Sequence, residues 1–169
     1  MNFLHKIKNG DYWYDLKWGV RNLIKWFPTI WNDRDWDHYF IFQILKFKLE
    51  QVEKQQREYG HHLNNLQTAK HIKICVNLLD RLIKDNYHEN VMRLHDKKWG
   101  ESEFHWTDCE DKKGYSELDI TRENIKTEKD EEQEKKEFRI LSKHMVYMQN
   151  QDLEYLFNKM KQHILGWWD

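Results

Sequence analysis

From His62 to Tyr87 apolar residues recur every three or four positions, at Leu63, Leu66, Ala69, Ile72, Val76, Leu79 and Ile83. That period matches the turn of an α-helix, so the segment predicts an amphipathic helix with one buried face. The rest of the chain supplies neighbours of the same kind. A helix from about Asp11 to Trp26 carries Leu16, Val20, Leu23 and Phe27 on one stripe, and Pro28 is expected to stop it. Another starts at Asn32 or Asp33 as N-cap and carries Phe40, Ile41, Ile44, Leu45, Leu49 and Val52 before Gly60. The last carries Phe138, Leu141, Met145 and Met148, then Leu153, Leu156, Phe157, Met160 and Ile164, with a bend expected near "QNQD". The mixed charges of "EKDEEQEKKE" suit its solvated start. In the closing "ILGWWD", Gly166 suits a left-handed cap, after which Trp167 and Trp168 fold back.

Between Met92 and Thr127 the helical pattern fails, and "WGESEFHWTDCEDKKGYSELDITREN" alternates in the manner of a short hairpin with Gly114 at its turn. The expected architecture is therefore a single domain over residues 1–169. It is mainly α, an antiparallel helical bundle of about four main helices, with a polar, partly irregular insertion at 92–127 before the last one.

Composition bounds the function classes. At 169 residues the chain can bury a sizeable core without disulfides. A mean hydropathy of -1.03 and 34% charged residues lean toward disorder, but 15% aromatics including nine Trp argue for a folded protein. The net charge of -1 provides no global basic field, so nucleic acid is not an expected partner. Cys75 and Cys109 form no C-x-x-C pair and read as free thiols in a reducing cytoplasm. "MNFLHKIKNG" is too short and polar for a signal peptide, and the apolar runs fall far short of a membrane span.

The densest stretch is "WNDRDWDHYF", from Trp31 to Phe40. Asp33, Asp35 and Asp37 alternate like the start of a calcium loop, but His38 and Ile44 stand where that loop needs Gly and Glu. Asp33 and Asp35 suit a helix N-terminus, each favoured there by roughly 0.3 to 1 kcal/mol. Asp37 instead steps onto the apolar stripe through Ile41, Ile44 and Leu49, so it calls for a partner, with Arg21, Arg34 and Arg81 as candidates. His71 steps in the same way onto Cys75, Leu78 and Leu82. A buried polar network holding Asp37 and His71 would either fix packing or hold a ligand.

Metal chemistry in a helical bundle needs Glu-x-x-His on two helices; Glu58 and His61 have that spacing, but Gly60 lies between them and there is no second copy. No metal and no cofactor are expected, and no nucleophile or phosphate loop is evident. The tryptophans can be core, or they can stack a base while Arg or Lys holds phosphate.

The stretch "RDWDHYFIFQILKFKLE" and the terminal "HILGWWD" resemble a widespread group of uncharacterised tailed-phage proteins, with "AKHIKICVNLLDRL" and the charged run adding to the likeness. The matching residues are Arg34, Trp36, Asp37, Tyr39, Arg81, Gly166, Trp167, Trp168 and Asp169. The resemblance implies a phage product acting in the cytoplasm of an infected bacterium. By analogy with phage sponges, the leading expectation is a non-enzymatic, homo-oligomeric protein that sequesters a cyclic or ADP-ribose-type nucleotide immune signal. Its ligand-binding residues would be Trp31, Arg34, Trp36, Asp37, Tyr39, His71, Arg81 and Trp168. The competing expectation is a structural or host-protein-binding role; a third is a nucleotide-cleaving enzyme using Asp37 and His71.

Overall fold

A computed structural model of the chain describes residues 11–31, 33, 37–109, 111 and 113–167. The described residues are mainly helical: α1 (Asp11–Ile30), α2 (His38–Tyr59), α3 (Asn65–Lys84) and α4 (Glu89–Trp99) precede strands β1 (Ser102–Asp108) and β2 (Ser116–Arg122). Helix α5 (Glu128–His163) and a 3-10 turn (Ile164–Gly166) follow. No described helix is long and apolar enough to cross a membrane. The fold divides into two compact units, Met1–Ile83 with Lys159–Asp169, and Lys84–Asn158.

In the first unit α3 supplies the core. Ala69, Ile72, Val76 and Leu79 of the expected stripe are buried, together with Cys75, Leu78 and Leu82 and with Leu49 of α2, but Leu63, which precedes the helix, and Leu66 in its first turn are exposed. Lys46 Nζ of α2 donates to Asp80 Oδ1 of α3 at 2.7 Å. Helix α1 meets α2 through Trp26, whose ring lies edge-on to Phe47 at 4.7 Å.

Three boundaries differ from the sequence reading. Pro28 does not end α1: its missing N–H costs one ladder bond near the helix end, and the Trp31 N–H reaches the Phe27 carbonyl at 3.0 Å beyond it. Helix α2 starts at His38, later than Asn32 or Asp33, because Asp37 is its N-cap; Oδ1 accepts from the Tyr39 N–H at 2.9 Å. The partner that Asp37 calls for is thus backbone, in place of Arg21 or Arg81, and a capping bond of this kind is worth about 1 kcal/mol. Arg34 lies outside the described residues. Gly166 sits in the 3-10 turn, and the positive φ angles among described glycines belong to Gly100 and Gly114.

The second unit contains a helix where the apolar pattern lapses. The buried residues of α4 are His95 and Trp99, one turn apart, so a polar residue stands where the period would ask for an aliphatic one. Gly100 (φ 87) ends α4 by donating its N–H to the Asp96 carbonyl at 2.8 Å. A Cβ there would be strained by that φ and would crowd the Glu123 nitrogen at 3.1 Å. The expected hairpin is present: β1 and β2 pair antiparallel with Phe104 opposite Ile120 and Trp106 opposite Leu118, and Gly114 (φ 87) lies in its turn.

Helix α5 begins at a capping box, in which the Thr127 N–H donates to Asp130 Oδ2 at 3.0 Å and the Asp130 N–H donates to Thr127 Oγ1 at 3.2 Å. It then runs unbroken through "QNQD", where Asp152 is buried and accepts from the Tyr87 hydroxyl at 2.7 Å.

Candidate functional site

The first unit holds a polar cleft between the α2–α3 loop and the C-terminal turn. The loop is tight because of Gly60: a Cβ there would meet the Gln56 carbonyl oxygen at 2.5 Å and Asn65 Cβ at 2.6 Å. Asn65 Nδ2 donates to the Gly60 carbonyl at 2.9 Å, and the Asn65 N–H to the His62 carbonyl at 3.1 Å. These bonds present His61, His62 and Leu63 beside the first turn of α3. Facing them, the Trp167 N–H donates to the Ile164 carbonyl at 3.2 Å, which turns the indole into the unit, where it is 9% exposed.

Two adjoining cavities open here. One of about 570 Å³ is lined by Gln56, His61, His62, Leu63, Asn64, Thr68 and Gly166. The other, of about 290 Å³, is lined by Asn64, Gln67, Thr68, His71, His163, Gly166 and Trp167. Asn64, Thr68 and Gly166 are common to both. The walls are amide, hydroxyl, imidazole and indole with the aliphatic Leu63 beside them, and no described carboxylate lines either cavity. Gln56 is buried, and Trp167 Nε1 is buried without a hydrogen-bond partner. A buried donor left unpaired costs about 1 to 3 kcal/mol.

The His71 ring stacks on His163, centroids 4.1 Å apart and planes 28° apart. Burial, then the neighbouring His163 and Lys159, hold the His71 imidazole below its usual pKa, so it is neutral at pH 7 and can accept one hydrogen bond and donate another. Burial pushes the Cys75 thiol up to about 11, which removes it as a nucleophile. Among the described residues no group of three or more His, Cys, Asp or Glu converges in the way metal ligands do.

Of the residues singled out from sequence, His71 lines this cleft. Trp31 follows α1 in a turn, 67% exposed, its ring against Phe27 at 4.7 Å. Asp37 caps α2, Tyr39 is half-buried with its ring edge-on to Phe40 at 5.9 Å, and Arg81 is on the exposed side of α3. None of these four lines the cleft. Arg34, Trp36 and Trp168 lie outside the described residues. The sequence reading missed Gln56, which has no signal, and Asn64, Gln67 and Thr68, whose one signal is the uncharged run "HHLNNLQT" after Gly60.

The second unit has a different polar centre. Arg122 is 8% exposed, and its Nη1 donates to Asp96 Oδ1 at 2.7 Å and to the Gly100 carbonyl at 2.6 Å. Its Nε lies 3.1 Å from Glu134 Oε1. His95 Nε2 is 3.6 Å from the same oxygen, too long for a hydrogen bond. Glu137 accepts from Lys98 Nζ at 2.6 Å and from Trp99 Nε1 at 2.8 Å. The Lys98, Trp99 and Gln133 donors hold its carboxyl down at about 2. Arg122 and Glu134 also border a cavity of about 640 Å³ whose walls include Phe104, Ile120, Ile125 and Phe138. Arg122, Asp96, Glu134 and Glu137 thus satisfy one another, while both ring nitrogens of the buried His95 are left without a hydrogen bond; the paired ions read as structure.

No protein-family model, curated protein or solved structure matches the chain.

Proposed function

We propose that this chain is a phage-encoded, non-enzymatic binding protein that takes up a small nucleotide, of the cyclic or ADP-ribose type, and withholds it from a host immune effector. The observation that supports this most is the cleft lined by Asn64, Gln67, Thr68, His71 and Trp167, at whose edge the Trp167 indole N–H is buried without a hydrogen-bond partner. A base presents acceptors and donors at its edge, which amides, imidazoles and an indole N–H can read. The positive end of α3, whose first turn borders the cleft, favours phosphate, and Lys159 adds a nearby cation that His71 already senses. Of the contacts proposed from the sequence pattern, Arg34 for phosphate and Trp36 and Trp168 for stacking are kept for this ligand, whereas Arg81 and Trp31 do not line the cleft.

The test is mass spectrometry of what the protein retains and releases after incubation with a panel of cyclic and ADP-ribose nucleotides. One compound recovered intact at fixed stoichiometry supports the reading. Trp167→Phe, which removes the indole N–H and keeps an aromatic ring, should weaken its binding roughly tenfold. Recovery of a cleaved product would replace the reading with an enzyme, and an empty protein across the panel would end it. Asp37 is engaged as a helix cap, which weakens the acid and base pair that a cleavage mechanism would need.

A second reading, a host-protein-binding role, has its own support. One face of the hairpin displays Phe104, Trp106, Leu118 and Ile120, each more than 40% exposed. Such a patch fits an apolar protein surface. Retention of a stoichiometric host protein that Trp106→Ser abolishes would favour it.

A further inference from the structure

We infer that the outer face of α1 is the surface through which two copies of this chain associate, with the two α1 helices antiparallel across a twofold axis. Trp13, Leu16, Val20, Leu23, Phe27 and Ile30 are spaced alternately three and four apart, so they form one continuous stripe along the 20-residue helix. Each is between 42 and 73% exposed. The attachment of α1 to its own unit uses another side, where Trp26 meets Phe47.

The stripe is self-complementary in one direction only. Turning a second α1 about the midpoint between Arg21 and Asn22 sets Trp13 against Ile30, Leu16 against Phe27, and Val20 against Leu23. Every layer then pairs a larger side chain with a smaller one, as close packing requires. A parallel pair would instead stack Trp13 on Trp13 and Phe27 on Phe27. The area is also of the right order. The six side chains expose roughly 600 Å², given 150 to 250 Å² for an aromatic ring, and the flanking Ile24 and Trp31 bring this near the roughly 800 Å² per partner of a stable interface. A patch this large on a lone molecule marks an interaction surface, and a twofold pair is the commonest way for a chain to cover its own. None of this depends on the nucleotide reading.

The experiment is sedimentation velocity on the full chain over a dilution series. A species of twice 21.2 kDa that dissociates on dilution is expected. Val20→Asp and Leu23→Lys change exposed positions, so each should keep the helical content of the parent while weakening association roughly a hundredfold. For orientation, Leu16→Cys with Phe27→Cys in a Cys109→Ser background should cross-link two copies on oxidation, and Leu16→Cys alone should not. A parent that stays monomeric at every concentration overturns the proposal, whether its stripe then binds lipid vesicles or another protein. Dimers indifferent to Val20→Asp and Leu23→Lys would place the contact elsewhere, and cross-linking by Leu16→Cys alone would overturn the antiparallel arrangement.

Discussion

The two units of this chain are held together by different chemistry. The first rests on aliphatic burial, with Ile72, Cys75, Leu79 and their neighbours on α3 enclosed and its polar groups gathered into an open cleft. The second buries fewer aliphatic groups and is tied by charge, with Arg122 bonded to Asp96, Gly100 and Glu134, Glu137 clasped by Lys98 and Trp99, and Tyr87 bonded to Asp152. In the second unit the carboxylates find donors and fasten the polar centre, with the buried His95 ring beside it making no hydrogen bond; in the first, the polar groups line an open cleft, with the Trp167 indole N–H buried at its edge.

The contrast can be broken most forcefully at Arg122. Replacing it by Ala strands Glu134 and Asp96 without their cation and should cost about 3 to 5 kcal/mol in urea unfolding. A loss under about 1 kcal/mol would mean that the second unit is not fastened by charge. Leu79→Ala probes the first unit, where a fully buried aliphatic should cost about 3 kcal/mol by loss of contact and cavity formation. Loss of the Trp99 to Glu137 bond in that variant, seen by hydrogen exchange under native conditions, would show that the contrast between the units is not local.

Acid should separate the two more gently. The folded His71 binds its proton less readily than the unfolded chain does, so its contribution is full above pH 6.5 and declines as pH falls below that value. Glu137 is also depressed, from 4.5 to about 2, so its contribution is full above 4.5 and is lost between 4.5 and 2. On acidification, amide protection in α3 should therefore fall first and protection in α4 later. His71→Gln should remove the first step and Glu137→Gln the second; the reverse order of events would contradict the assignment.

How much of this could be read from the residues follows from the same contrast. Helix α3 was legible because aliphatic burial imprints its period on the sequence. The hairpin was legible through alternation and Gly114. Helix α4 was hidden because its buried positions are His95 and Trp99, the first of which carries a polar label. The N-terminus of α2 was misplaced because Asn32 and Asp33 are equally good caps by residue type, whereas Asp37, read as part of the apolar stripe, is the cap the structure shows. At the site, His71 stood out by its position on an apolar stripe. Gln56, Asn64, Gln67 and Thr68 could not, since neutral polar side chains form no motif until folding brings them to one wall. The buried Arg122 was equally invisible, because the acids that meet it come from α4 and α5.

The depth of Cys75 also sets the reactivity of the chain. With its thiol pushed up to about 11, about one molecule in ten thousand carries the thiolate at pH 7. Thiol-directed reagents therefore find little to attack in the first unit, and cysteine chemistry is directed to Cys109 just after β1, which is partly exposed. A reporter group can thus be attached to the second unit by ordinary alkylation at neutral pH, leaving the aliphatic core of the first chemically untouched.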